Sequence, residues 1–123
     1  MRYPAYLEQR FTFPDFYHVR LTPPDNSLAH PVTTLENRLV PALDQMGLKP
    51  GQTVAVGVGS RGIAKIAGFT ARICRCIREK GGRPFILPAM GSHGSAMARG
   101  QAAVLEKLGI TQETCNARIV PEM

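Results

Sequence analysis

The apolar positions of this chain fall into two rhythms that alternate along its middle. Thr53-Val-Ala-Val-Gly-Val58 is a short apolar run after the turn Lys49-Pro-Gly-Gln52. It predicts a strand, buried on both faces if the sheet is parallel. From Ile63 to Lys80 the period lengthens, with Ile63, Ile66, Phe69 or Thr70, Ile73 and Ile77 on one stripe. That spacing predicts a helix, ended by Gly81-Gly82. Pro84-Phe-Ile-Leu-Pro-Ala-Met90 reads as the next strand, and its prolines favour an edge position. A further helix is expected from Gly94 or Ser95 to Leu108, with Ser95 as N-cap and Gly109 as its stop. Thr111 is placed to cap one more short turn.

Upstream, Leu35, Leu39, Leu43 and Met46 fall at helical spacing. Thr33 and Glu36 fit a capping box at the start of that helix, Pro41 should kink or split it, and Gly47 suits its C′ position. Residues 1–30 form an arm punctuated by prolines, in which Tyr17-His-Val-Arg-Leu-Thr22 alternates as a short strand does. The stretch from Thr22 to Ser27 is a loop by composition. The order strand–helix–strand–helix predicts an α/β fold. Its expected core is a Rossmann-like parallel βαβα unit over residues 31–123, half of a larger domain or protein.

Composition narrows the partners. The 123 residues suit one small domain, and 15 Lys and Arg against 9 Asp and Glu give a net charge of +6. That excess favours anions: carboxylate substrates, phosphorylated cofactors or nucleic acid. Arg72, Arg75, Arg78 and Arg83 make a basic stripe, read as a solvated helix face. Nucleic-acid binding would want interleaved aromatics or a recognition helix, and neither is apparent. No run is long enough to span a membrane, and the first residues lack the apolar core of a signal peptide. The three cysteines, without an export signal, suggest reduced thiols and a cytoplasmic protein. Cys74 and Cys76 should point to different sides of a helix, Cys115 is isolated, and His18 and His30 have no ligand spacing around them.

The candidate chemistry lies in two short segments, Gly57-Val-Gly-Ser-Arg-Gly62 and Ala89-Met-Gly-Ser-His-Gly94. Each follows a predicted strand and precedes a predicted helix. In an open parallel sheet such loops lie together at the carboxyl ends of the strands, where ligands bind. Two helix N-termini would add partial positive charge there. Arg61 supplies a planar two-pronged donor for carboxylate or phosphate, and His93 a group that titrates near neutrality. Taken singly, Gly-Ser-His-Gly is equally well a turn with His93 as a polar capping residue, and Arg61 a surface residue ahead of a helix. Gly57, Gly59 and Gly62 also spell the dinucleotide-binding fingerprint, but Ala89 and Met90 stand where its acidic residue belongs.

Val58-Gly-Ser-Arg-Gly-Ile63, Pro88-Ala-Met-Gly-Ser-His-Gly94, Gly100-Gln101 and Leu105-x-x-Leu-Gly-Ile110 together resemble the N-terminal domain of the nickel-dependent lactate racemase family. The likeness covers roughly residues 30–123 and lies closest to the less characterised branch of that family. It implies a two-domain enzyme that racemises a 2-hydroxy acid through a nickel pincer nucleotide, a nicotinate-derived cofactor with one phosphate. By the same likeness Arg61, with Ser60, would hold substrate carboxylate or cofactor, and His93 would be one of two catalytic histidines. Val58 stands where the lactate racemases carry an aspartate, so the implied substrate need not be lactate. The second histidine, the cofactor-anchoring lysine and the nickel-binding histidine lie further along the family chain, beyond Met123. A chain ending there is expected to be inactive alone and to need a C-terminal half or a partner chain. The alternative expectation is a non-catalytic α/β module that binds a phosphate-bearing nucleotide.

Overall fold

A computed structural model describes residues 14–121. The elements are α1 (Pro31–Gln45), β1 (Thr53–Val58), α2 (Ile66–Glu79), β2 (Arg83–Pro88), a single 3-10 turn (His93–Ala96), α3 (Ala98–Lys107), α4 (Gln112–Cys115) and β3 (Arg118–Ile119). The three strands form one parallel sheet in the order β1-β2-β3, with Thr53 opposite Arg83 and Phe85 opposite Arg118. The chain is thus a mixed α/β fold with helical crossovers between parallel strands.

One face of the sheet carries the core. Val56, Val58 and Ile86 are buried there beneath Cys74 and Ile77 of α2, with Leu105, Ile110 and Cys115 completing the cluster. The other face is not covered among the described residues: Thr53, Ala55 and Gly57 are exposed in alternation with their buried neighbours. The expectation that β1 is buried on both faces is therefore corrected. Helices α1 and α2 pack on each other, and α2 packs on the sheet, so both lie over the same face.

The position of β2 is a second correction, because it is central rather than an edge. Arg83 and Ala89 donate their N–H groups to Gln52 and Val58 of the β1 side, while the Ile86 carbonyl accepts from Val120. Backbone groups alternate sides along a strand, so the nitrogens of Pro84 and Pro88 face β3. They flank Ile86 there, and β3 is two residues long. The prolines remove no ladder bond because the ladder is only as wide as the gap between them.

Four local readings also change. The segment Tyr17–Thr22 is neither helix nor strand and is exposed throughout. Helix α1 starts at Pro31, not beside Thr33, with His30 at the N-cap. Proline is favoured in the first turn, where its missing N–H has no partner to lose. Glu36 does not close a capping box; it forms an ion pair with Arg72 of α2. Pro41 does not split α1, since it and Asn37, whose carbonyl it leaves without a donor, are both exposed to water. The stops are as expected. Gly47 and Gly109 take positive φ beyond α1 and α3, and Thr111 caps α4 in a box with Thr114.

Candidate functional site

The two glycine loops meet at the carboxyl end of the sheet. Gly57 lies opposite Leu87 and Val58 opposite Pro88, so the chain leaves β1 and β2 side by side. A Cβ on Gly57 would lie 3.6 Å from the Cβ of Ala89, and one on Gly59 would lie 3.8 Å from the Ala89 carbonyl oxygen. Across this seam Ser60 Oγ and His93 Nδ1 share a hydrogen bond, although 33 residues separate them. Both side chains are partly buried.

A separate set of contacts holds the His93 loop. Gln101 of α3, 3% exposed, donates from Nε2 to the Gly91 carbonyl at 2.8 Å. Gly94 lies against Gly100 so closely that a Cβ on Gly100 would sit 1.9 Å from the Gly94 oxygen. Only a pair of glycines allows that approach. The Met97 N–H then bonds back to Gly94, and the Gln101 N–H to Met97. The loop is thereby fastened to the first turn of α3 by backbone, with one buried amide side chain added.

Neither helix begins at its glycine loop, which corrects the expectation of helix tips beside Arg61 and His93. Helix α2 starts at Ile66 with Lys65 at the N-cap, and α3 at Ala98 with Met97 at the N-cap; Ser95 is not a cap. The reason is handedness. Gly62, Lys65, Gly94, Ser95 and Ala96 all have positive φ, which a right-handed helix cannot continue. Gly62 also has open space around it, so it makes a turn and does not bring a helix close to a strand. The dinucleotide fingerprint loses its structural context here.

Arg61 is exposed, and none of the ion pairs among the described residues includes it. It is the next residue in the chain after Ser60, which holds His93 by its Nδ1. If Nδ1–H donates to Ser60 Oγ, the Nε2 lone pair is left to accept a proton. Ser60 is then a positioning group for His93, a role its sequence gave no sign of. Exposed Lys65, held in the left-handed conformation, adds a cation near the same end of the sheet; it too carried no sequence signal. Clefts lined by Arg99, Ala102 and Ile110, or by His30, Lys65 and Phe69, lie away from Ser60 and His93.

The remaining chemistry-bearing residues serve the fold. Arg78 donates to the carbonyls of Cys115 and Asn116, both at 2.9 Å, and Arg83 to the Gly51 carbonyl at 2.8 Å. Arg75 pairs with Glu79 at 2.7 Å. The basic stripe is largely engaged in these bonds, not left as a free face. Cys74 and Cys76 are both buried, Cys74 near Cys115 and Arg78 and Cys76 near Glu36 and Glu79. Burial, with Cys115 nearby, pushes the Cys74 thiol up to about 11. No group of three His, Cys, Asp or Glu that could hold a metal occurs among the described residues, and no helix among them is long and apolar enough to cross a membrane. Nickel has no ligand set on the described residues.

Comparison with protein-family models, with curated proteins and with solved structures finds no match to this chain.

Proposed function

We propose that this chain forms the anion-holding and proton-transferring face of a lactate-racemase-like enzyme, with a Rossmann-like core, acting on a 2-hydroxy acid. The observation that supports it is the Ser60–His93 hydrogen bond across adjacent loops, with exposed Arg61 next in sequence to Ser60. Arg61 would clamp the substrate carboxylate or a cofactor phosphate through paired N–H donors. His93, oriented by Ser60, would take the hydroxyl proton at Nε2 and return it as general acid. When bound, the nickel pincer nucleotide would accept and return the hydride of the α-carbon. Its metal ligands, and the second catalytic base, would come from a C-terminal half or partner chain. The bare sheet face agrees with that reading, since parallel sheets are normally covered on both sides.

Calorimetry tests the part that this chain carries. Lactate, another 2-hydroxy carboxylate, inorganic phosphate and nicotinate mononucleotide are titrated into the chain. Millimolar or tighter binding of a carboxylate or of the mononucleotide is expected, weakened at least about tenfold by Arg61→Ala, on the scale of one charge-assisted contact. Absence of heat with all four ligands, or equal binding by the variant, overturns the proposal. The second reading, a non-catalytic module for a phosphate-bearing nucleotide, rests on the exposed Arg61 beside Ser60 in sequence and asks no proton transfer of His93. That module would bind the mononucleotide but not the hydroxy acids. In an enzyme completed by its remaining half, His93→Ala would leave its rate unchanged, while the first reading requires turnover to collapse.

A further inference from the structure

The sheet has an open edge. Along β1 the carbonyls of Gln52 and Val58 face β2, so the alternating N–H and C=O groups of Thr53, Ala55 and Gly57 face outward. This edge carries none of the usual protections, because Thr53–Val58 contains no charge and no proline. Beside it runs a groove of about 580 Å³, lined by Leu43 of α1, by Met46 just after that helix, by Leu48, and by residues 51–55. Met46 is 75% exposed. Helix α1 therefore overhangs a place in the sheet where no strand lies among the described residues.

The arm supplies what that place lacks. Tyr17, Val19 and Leu21 are 79, 76 and 84% exposed, and they alternate with His18, Arg20 and Thr22. No proline interrupts Tyr17–Thr22, whereas Pro14 and Pro23 bound it. We propose that Tyr17–Thr22 docks on the outer edge of β1 as a fourth parallel strand, with Tyr17, Val19 and Leu21 filling the groove under α1.

Topology selects this edge and this direction. Both observed crossovers step the same way, from β1 to β2 to β3. Helix α1 lies on the same side as α2 and leads into β1. A right-handed crossover from a preceding strand through α1 must start on the open side of β1. The ends are placed for it. Pro31 lies with Lys65 and Gly68 at the start of α2, which is the carboxyl end of the sheet, while Leu43 lies by the start of β1. The link Pro23–His30 has eight residues and reaches about 27 Å when extended, more than the roughly 20 Å rise of a six-residue strand. The polar residues His18, Arg20 and Thr22 would lie on the open, solvated face of the sheet.

Amide exchange in the full chain tests the proposal. In an undocked arm the outward amides of Ala55 and Gly57 exchange freely, while those of Val54 and Val56, bonded to β2, are protected. The docked strand should slow Ala55 and Gly57 at least about 100-fold. The double change Val19→Asp and Leu21→Asp should abolish that slowing while Val54 and Val56 stay protected, which shows that the sheet remains folded. His18→Ala with Arg20→Ala should alter it less than about twofold. Free exchange of Ala55 and Gly57 in the unaltered chain overturns the proposal. So does protection that grows with protein concentration, which would assign the edge to a second copy, and so does loss of protection in the His18, Arg20 variant.

Discussion

The two ends of the sheet solve the same problem differently. At the amino end, tight turns join helix to strand and are tied to one another. The Gly51 N–H donates to the Gly81 carbonyl at 2.8 Å, Gln52 Oε1 accepts from the Lys49 N–H at 2.8 Å, and Arg83 reaches the Gly51 carbonyl. In the turns that lead into β1 and β2 every left-handed position is a glycine, Gly47, Gly51 and Gly81, while before β3 Asn116 takes one. At the carboxyl end the loop after β2 is longer than the turn before it, and Lys65, Ser95 and Ala96 occupy left-handed φ without being glycine. Such residues cost roughly 1–2 kcal/mol each. The relaxed end closes the fold. The strained end carries Ser60, Arg61 and His93, which is where strain is commonly kept.

The sharpest way to break this contrast is at the glycine pair that holds the His93 loop. Gly100→Ala drives a methyl into the Gly94 carbonyl, which neither backbone can yield to cheaply. A loss of about 3 kcal/mol or more is expected from denaturant unfolding, the range of severe steric clashes. The ring signals of His93 should shift in the same variant as the loop leaves Ser60. An unchanged midpoint would show that the loop is not fastened as described.

A smaller effect belongs to the core between the two ends. The Cys74 thiol is held neutral, with its pKa raised from 9.0 to about 11. The folded state therefore keeps its proton more tightly than the unfolded state does, and this stabilisation is lost as pH rises from about 9 to 11. The loss should approach 3 kcal/mol at most. Cys74→Ala should flatten that part of the pH–stability curve; an identical slope in the variant would assign it to other groups.

The smallest pair sharpens the comparison directly. Gly81→Ala, at φ +81° and with a Cβ 3.2 Å from Pro50, should destabilise by about 1–2 kcal/mol. Ala96→Gly, at φ +53°, should be neutral or stabilise by a few tenths of a kcal/mol, as relief of strain offsets the entropy of the added glycine. Equal losses at both positions would remove the distinction between the ends.

Much of the body was legible in the chain. Ile66, Ile73 and Ile77 mark α2, Thr53–Val58 marks β1, and Gly47, Gly81 and Gly109 mark the stops, because helical period and left-handed turns are properties of neighbouring residues. The glycine-rich loops were legible as a pair for the same reason. The central place of β2 was not, since the harmlessness of Pro84 and Pro88 depends on how short β3 is. Nor was the late start of α2 and α3, which follows from left-handed φ at Lys65, Ser95 and Ala96, residues with no such preference.

By itself the sequence determined the alternation of helix and strand from α1 to α3, and that two glycine loops sit at equivalent places after β1 and β2. Only the tertiary structure decided that Ser60 reaches His93 across 33 residues, that Gln101 and the Gly94–Gly100 approach hold the loop, and that one face of the sheet is bare among the described residues. Periodicity is written in near neighbours, whereas contacts between distant residues exist only once the strands are registered and the backbones have closed on each other.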